Sequence, residues 1–299
     1  MTVTTDTVTT EGLPTHGVNL TDTAAQKVSD LLEQEGRAER IAAKQQALQE
    51  ATGWDEPTMA AYVRRLPEPY WIAEPADVLA ANAEVVRAAG DAPLSIAAQV
   101  YPERGATLVT VYATDHPGLF FRIAGAINVA GGNIIDARIH TTRDGMALDN
   151  FLVQDHNGQP FREAAQMACI EKGIRDALLA KVELVPKLAA RPLAHSRAKA
   201  FDVAPQVGFD NDASNHFTVI EVTARDRPAL LNRLAHALYK ANLIVHSAHI
   251  TAYGEAAADT FYVTDLTGAK IKAPERLAEI EAALLSAASD QRQAQLEKA

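Results

Sequence analysis

The stretch "TVIEVTARDRPALLNRLAHAL", Thr218–Leu238, decides the fold. It opens with alternating apolar residues, as a half-buried strand does, passes through a proline-bearing turn, and ends with leucines and alanines at helical spacing. Its turn, "RDRPAL" (Arg225–Leu230), nearly repeats an earlier one, "TDHPGL" (Thr114–Leu119). An offset of 111 residues sets Val109, Val111 and Ala113 upon Ile220, Val222 and Ala224, and Asp115 and Pro117 upon Asp226 and Pro228. The same offset sets Ala137 and Ile139 upon Ala248 and Ile250. After one deleted residue, "LDNFLVQD" meets "ADTFYVTD", with Asp149, Phe151, Val153 and Asp155 upon Asp259, Phe261, Val263 and Asp265. Agreement at strand-face, turn and helix-face positions together marks an internal repeat, so both copies are expected to share one fold.

Each copy reads strand, helix, strand, strand, helix, the split β-α-β order of ferredoxin-like folds. The predicted class is α+β: two ferredoxin-like (βαββαβ) modules behind an all-helical N-terminal segment. The boundaries fall at 1–20 for a tail, 21–90 for the helical segment, 94–210 for the first module and 215–290 for the second. In the helical segment one helix spans about 21–51, with Ala25, Val28, Leu31 and Leu32 on one face. A second is capped by Asp55 and stopped at Pro67, and a third follows "AEP" and ends at Gly90. "PERG" between two alternating runs signals a hairpin. The helix after the first turn runs from about 117 to 130, and a long helix spans about 160–184. "APQVGFDN" is expected to supply the last strand of the first module, leaving a second-module edge to be covered by "LSIAAQVY" or by another chain.

Composition narrows the function. Lys and Arg number 28 against 38 Asp and Glu, an acidic balance unsuited to tracking nucleic-acid phosphates. No apolar run is long enough for a membrane span, and the N-terminus lacks the pattern of an export signal. A single cysteine, Cys169, excludes an internal disulfide and fits a reducing, cytoplasmic setting.

Paired modules with "D-x-P-G/A-L" between first strand and first helix resemble tandem ACT domains, over residues from about 104 to 290. More narrowly, "LPEPYWIAEP" (66–75) and "VGFDNDASNHFTVIEVTARDRPALL" resemble the C-terminal third of the bifunctional uridylyltransferase and uridylyl-removing enzymes that act on the signal protein PII. The resemblance implies a regulatory, amino-acid-sensing part with glutamine as ligand. It further implies PII or the catalytic domains as partners, and the sheets suit homodimer formation. It implies no catalytic residue here. A nucleotidyltransferase needs a Gly-Ser turn with a nearby Asp-x-Asp pair for its metal, and the hydrolytic part needs a His-Asp pair. "DND" at 210–212 stands in a connection, and no His-Asp dipeptide occurs. Magnesium is therefore expected only in catalytic domains outside this sequence, and no cofactor or metal site within it.

The candidate ligand residues of the first module are Asp115, His116, Gly118 and Leu119 at the turn. There Pro117 fixes φ and Gly118 lets backbone amides approach a carboxylate, aided by the helix dipole. Alternatively Asp115 caps its helix. "GGNIID" supplies Gly132, Asn133 and Ile134, expected beside that turn, although Gly131 and Gly132 can equally serve to end a helix. The second-copy counterparts are Asp226, Arg227, Ala229, Leu230 and Ile244; with alanine replacing the glycine, the first module is expected to form the better pocket. Asp149 and Asp259 face inward and are expected to bond to a loop, since an unpaired buried carboxylate is costly. His246 and His249 are expected on opposite strand faces, which argues against a shared metal.

Overall fold

A computed structural model describes residues 22–116, 118–179, 203–226, 230–253 and 256–289. The tail at 1–20, the end of the long helix beyond 179, the side chains of Ala25, Val28, Leu31 and Leu32, and Pro117, Arg227, Pro228 and Ala229 lie outside what it describes.

The helical segment contains α1 (Asp22–Thr52), α2 (Glu56–Arg65), α3 (Glu68–Ala73) and α4 (Ala76–Ala89). Asp55 caps α2 by accepting a 3.0 Å bond from the Thr58 amide. The short α3 was not anticipated. It lies in "LPEPYWIAEP" between prolines that hold both flanks extended, and Lys44 crosses from α1 to bind its last carbonyls, those of Trp71 and Glu74 at 2.8 and 2.6 Å.

The first module follows as β1 (Leu94–Tyr101), a 3-10 turn at Pro102–Arg104, β2 (Ala106–Thr114), α5 (Leu119–Val129), β3 (Asn133–Arg138), β4 (Met146–Gln154) and α6 (Ala164–Leu178). The second contains β5 (Gln206–Asp210), β6 (Thr218–Arg225), α7 (Leu230–Lys240), β7 (Leu243–Tyr253), β8 (Ala256–Asp265) and α8 (Pro274–Ala288). One eight-stranded sheet runs in the order β1-β2-β4-β3-β7-β8-β6-β5. The strand expected to close the first module, "APQVGFDN", instead pairs with β6, and "LSIAAQVY" pairs with β2. Each outer strand thus belongs to the module that follows it, because a local antiparallel hairpin closes over a few residues whereas the expected assignment needed a return across the sheet.

The repeat becomes a pseudo-twofold axis. β3 pairs with β7 antiparallel, with Ala137 opposite Ala248, its own counterpart in the second copy, flanked by Asp136 opposite His249 and Arg138 opposite Ser247. This is the self-complementary pairing of an isologous interface, made within one chain. Both strands carry a register shift at equivalent positions, Ile135 and His246. At the end of α5, Gly131 (φ 97°) gives its amide to Asn128 and Gly132 gives its amide to Ile127, closing a Schellman turn. Asn242, equivalent to Gly131, takes the same left-handed conformation at φ 51°. Asp155 and Asp265 each fold the loop behind their strand by accepting backbone amides two and four residues on.

The two sheet faces differ. α5, α6, α7 and α8 cover one face, over a core containing Val109, Ile123, Phe151, Ile174, Ile220, Leu234, Phe261 and Leu284. On the other face the helical segment packs on the first module through Tyr70, Trp71 and Leu79 against Tyr112 and Leu148. Glu74 anchors this layer. It is 1% exposed, and its carboxylate takes bonds from His140 Nε2 (2.8 Å), Asn150 Nδ2 (3.0 Å) and an Arg138 guanidinium nitrogen (3.2 Å). Burial alone would raise its pKa, but His140, Arg138 and Asn150 outweigh burial and hold it below the usual carboxylate value.

Candidate functional site

A cavity of about 350 Å³ opens at the seam between the modules. The crossover through α5 returns the chain to the opposite end of the sheet before β3 begins, so the end of β3, not its start, lies beside the Asp115 turn. Since β7 runs antiparallel to β3, its first residues arrive at that same place. Asp115, His116, Gly118, Leu119 and Ile244 therefore line one cavity, together with Phe120, Ile139, Thr141, Asp149, Tyr239, Leu243 and His246.

The other expected residues lie elsewhere. Asn133 is opposite Gln154, near where β2 starts, whereas β2 ends with Thr114 opposite Met146. The distance along the strand is roughly 26 Å at about 3.3 Å per residue. Gly132, Asn133 and Ile134 are thus separated from the first turn, contrary to expectation. Gly132 is there for packing: a Cβ on it would come within 2.6 Å of both Ile127 and Val153. Ile134 is a core residue, and Asn133 is exposed. By the pseudo-twofold, the start of β3 extends toward the end of β7, on the side where β6 reaches Arg225 and Asp226. Leu230 is buried in the core, and Arg227 and Ala229 fall outside the described residues.

At the turn itself, α5 has no side-chain cap. The Asp115 carboxylate instead accepts a 2.7 Å bond from the Thr141 hydroxyl, tying the turn to the end of β3. Gly118 precedes α5 with φ 86°, a left-handed conformation suited to glycine, and a Cβ there would stand 3.1 Å from the Tyr239 ring and 3.2 Å from Phe121. Leu119 and Arg122 direct their amides to His116 and Gly118, while the amide of Phe120 has no carbonyl partner among the described residues. A helix N-terminus is suited to an anion.

Asp149 departs most from expectation. It sits on β4 opposite Val111, is 0% exposed, and neither carboxylate oxygen has a hydrogen-bond partner among the described residues. Burial pushes its pKa well up, the nearby Asp115 charge adds to this, and the His140 backbone opposes it without meeting the geometry of a bond. Asp259, its equivalent, is 2% exposed, has one oxygen unpartnered, and is pushed up to about 7 by burial and by Asp226. The expected loop bonds to these two carboxylates do not form.

His246 was missed as a pocket residue because the register shift in β7 breaks the alternation on which its placement relied. It stacks on Phe217 with centroids 4.6 Å apart, while His249 meets Tyr262, itself edge-on to Phe217, so both imidazoles touch one aromatic cluster. Burial lowers the His246 pKa to about 4, leaving it neutral near pH 7, and it hydrogen-bonds Thr264 Oγ1 at 3.0 Å. Among the described residues no group of His, Cys, Asp and Glu could hold a metal, and no helix is long and apolar enough to cross a membrane.

This arrangement is two ferredoxin-like units sharing one sheet with a cavity at their seam, and residues 107–160 match the ACT domain family. Over most of its length the chain is related to bifunctional uridylyltransferase/uridylyl-removing enzymes. It is 62% identical to that of Erythrobacter litoralis over 88% of this chain and 29% of the enzyme. The corresponding figures are 59%, 87% and 28% for Novosphingobium aromaticivorans, and 48%, 85% and 28% for Zymomonas mobilis. The chain thus spans under a third of the length of these relatives.

Proposed function

We propose that this chain is the amino-acid-sensing regulatory part of a PII uridylylation and deuridylylation system, that it works in the cytoplasm, and that glutamine is its ligand. The observation that carries the reading is the seam cavity, enclosed by a helix N-terminus and turn from one module and the first residues of β7 from the other. A ligand held there touches both modules at once. Its affinity can therefore differ between arrangements of the modules, which is the only way a ligand can shift such an equilibrium. Identity to the uridylyltransferase/uridylyl-removing enzymes supports the system, and the absence of the Gly-Ser/Asp-x-Asp and His-Asp motifs supports a regulatory rather than a catalytic role.

Calorimetry and thermal shift with glutamine and the other proteinogenic amino acids test this reading. Heat and a raised midpoint with glutamine are expected, and silence with every amino acid would remove it. Incubating the chain with PII and UTP is expected to give no uridylylation, and turnover would place a catalytic site here.

A further inference from the structure

The seam cavity contains a group with nothing to do in the protein as it stands. Asp149 lines it, is fully buried, and among the described residues neither of its oxygens meets the geometry of a hydrogen bond. Leaving buried carboxyl oxygens unbonded costs stability, and a packed core position opposite Val111 on a neighbouring strand would suit an apolar residue better. The counterpart at the equivalent position, Asp259, is also buried with an unbonded oxygen. The same costly feature appearing twice about the pseudo-twofold axis points to use rather than accident.

We propose, resting on the sensor reading above, that Asp149 is the residue that recognises the ligand's ammonium group, so that the pocket selects free amino acids over their deaminated analogues. The geometry places it for this. Asp149 and Asp115 contribute carboxylates to the cavity, and the first residues of α5, Leu119 and Phe120, line it as well. A zwitterion held there has a helix N-terminus to receive its carboxylate and the Asp149 carboxyl to receive its ammonium. Phe120, Ile139 and Ile244 leave the rest of the cavity apolar.

The recognition has a proton balance. In the empty pocket burial holds the Asp149 carboxyl protonated beyond the usual range. An ammonium beside it favours the carboxylate, so the acid proton leaves to solvent as the ion pair forms, and no other bond is made or broken. Affinity for the amino acid then rises with pH by up to about tenfold per unit wherever the empty-site carboxyl is protonated. The other titratable groups facing Asp149 are Asp115 and His116 at the turn, His140 behind it, Tyr239 from α7 and His246 from β7. His246 is neutral above about pH 4 and does not contribute over the range of the test.

The experiment is calorimetry on the 299-residue chain with L-glutamine, or with whichever proteinogenic amino acid responds, at pH 6, 7 and 8 in phosphate and in Tris. The two buffers differ in ionisation enthalpy, so the difference in heat reads the protons released. Net proton release, tightening as pH rises, at least tenfold weaker binding of the deaminated analogue (glutaramate for glutamine), and loss of the proton signal in Asp149→Asn are expected. His116→Gln is run beside it and is expected to keep the proton signal. Asp149→Asn is close in size and removes a buried acid, so its folding is checked by thermal unfolding. Should it fail to fold, the analogue comparison and the proton count on the unmodified chain still decide the matter. Binding without proton release, equal affinity for the deaminated analogue, or transfer of the proton signal to His116 overturns the proposal and leaves the sensor reading standing. Silence with every amino acid overturns both.

Discussion

Replacing Glu74 by alanine tests whether the helical segment is a docked layer or a loosely attached one. The carboxylate is 1% exposed and joins three donors on the first module's sheet, His140, Asn150 and Arg138. Removing one member of a buried ionic cluster commonly costs about 3–5 kcal/mol, because the partners stay behind uncompensated. Here the Arg138 side chain is 25% exposed and can turn to water, so the lower end, about 3 kcal/mol, is expected. Against a typical total of about 5–15 kcal/mol, this is enough to separate the segment's transition from that of the modules. The chain contains two tryptophans, and both, Trp54 and Trp71, pack in the helical segment's cluster. Tryptophan fluorescence during urea unfolding therefore follows this layer, and circular dichroism follows the whole chain. Glu74→Ala should move the fluorescence midpoint down ahead of the dichroism midpoint. Acid should do the same to the parent chain. Because the folded pKa of Glu74 lies below its ordinary value near 4.5, its contribution is complete above that value and is lost as pH falls through the folded pKa. Glu74→Gln should lose less on acidification. A Glu74→Ala fluorescence midpoint within about 1 kcal/mol of the parent would refute the anchoring argument.

Gly118→Ala should cost about 1–2 kcal/mol in thermal unfolding, since φ is 86° and the added Cβ meets Tyr239 at 3.1 Å. Gly132→Ala should cost about 1–3 kcal/mol by overpacking against Ile127 and Val153, and, lying at the far end of β3 from the seam cavity, should leave amino-acid affinity unchanged in calorimetry. Asp259 titrates near 7 when folded and near 3.8 when unfolded, so between those values the unfolded chain loses its proton first and stability falls as pH rises, by at most about 1.4 kcal/mol per unit. Asp259→Asn should remove that slope and be the more stable form at pH 8, read as urea midpoints at pH 5 and 8.

The duplicated turn was legible because strand and helix periods flank it in both copies, and the structure turns the 111-residue offset into a twofold axis through Ala137 and Ala248. Sequence order alone did not say which module each outer strand serves; the short spacing from Phe209 to Thr218 favours a hairpin, and that cue was outweighed by the expectation that the first copy closes before the second begins. The first turn's residues line one cavity, and Ile244, expected at the second module's site, lines it with them; Gly132, Asn133 and Ile134 stand at the other end of β3 because the chain crosses back along the sheet before that strand begins. His246 was hidden by the register shift, which leaves no mark in hydrophobic alternation. Asp149 was read as inward-facing; that its oxygens find no donor among the described residues depends on side-chain placement across several elements, which only coordinates give.

The chain from Arg138 to Thr142 joins these observations. Side chains alternate along an extended segment, so successive residues face opposite sides of the sheet. Ile139 and Thr141 line the seam cavity, with Thr141 bonded to Asp115, while Arg138 and His140 reach Glu74 on the far side. The same segment is fixed to both modules through its backbone, Ile139 donating to the His246 carbonyl and the His140 carbonyl accepting from Leu148. Just beyond it, Arg143 donates to the carbonyl of Arg65, and Arg65 pairs with Asp144 at 2.8 Å and with the Tyr112 hydroxyl, adding the end of α2 to the connection. A ligand that competes with Asp115 for Thr141, or pushes Ile139 aside, therefore acts on the backbone that also holds the Glu74 anchor. Any free-energy coupling between cavity and helical layer is reciprocal. Weakening the anchor must alter ligand affinity by the factor with which the ligand alters docking, and no separate path through the core is needed to connect them.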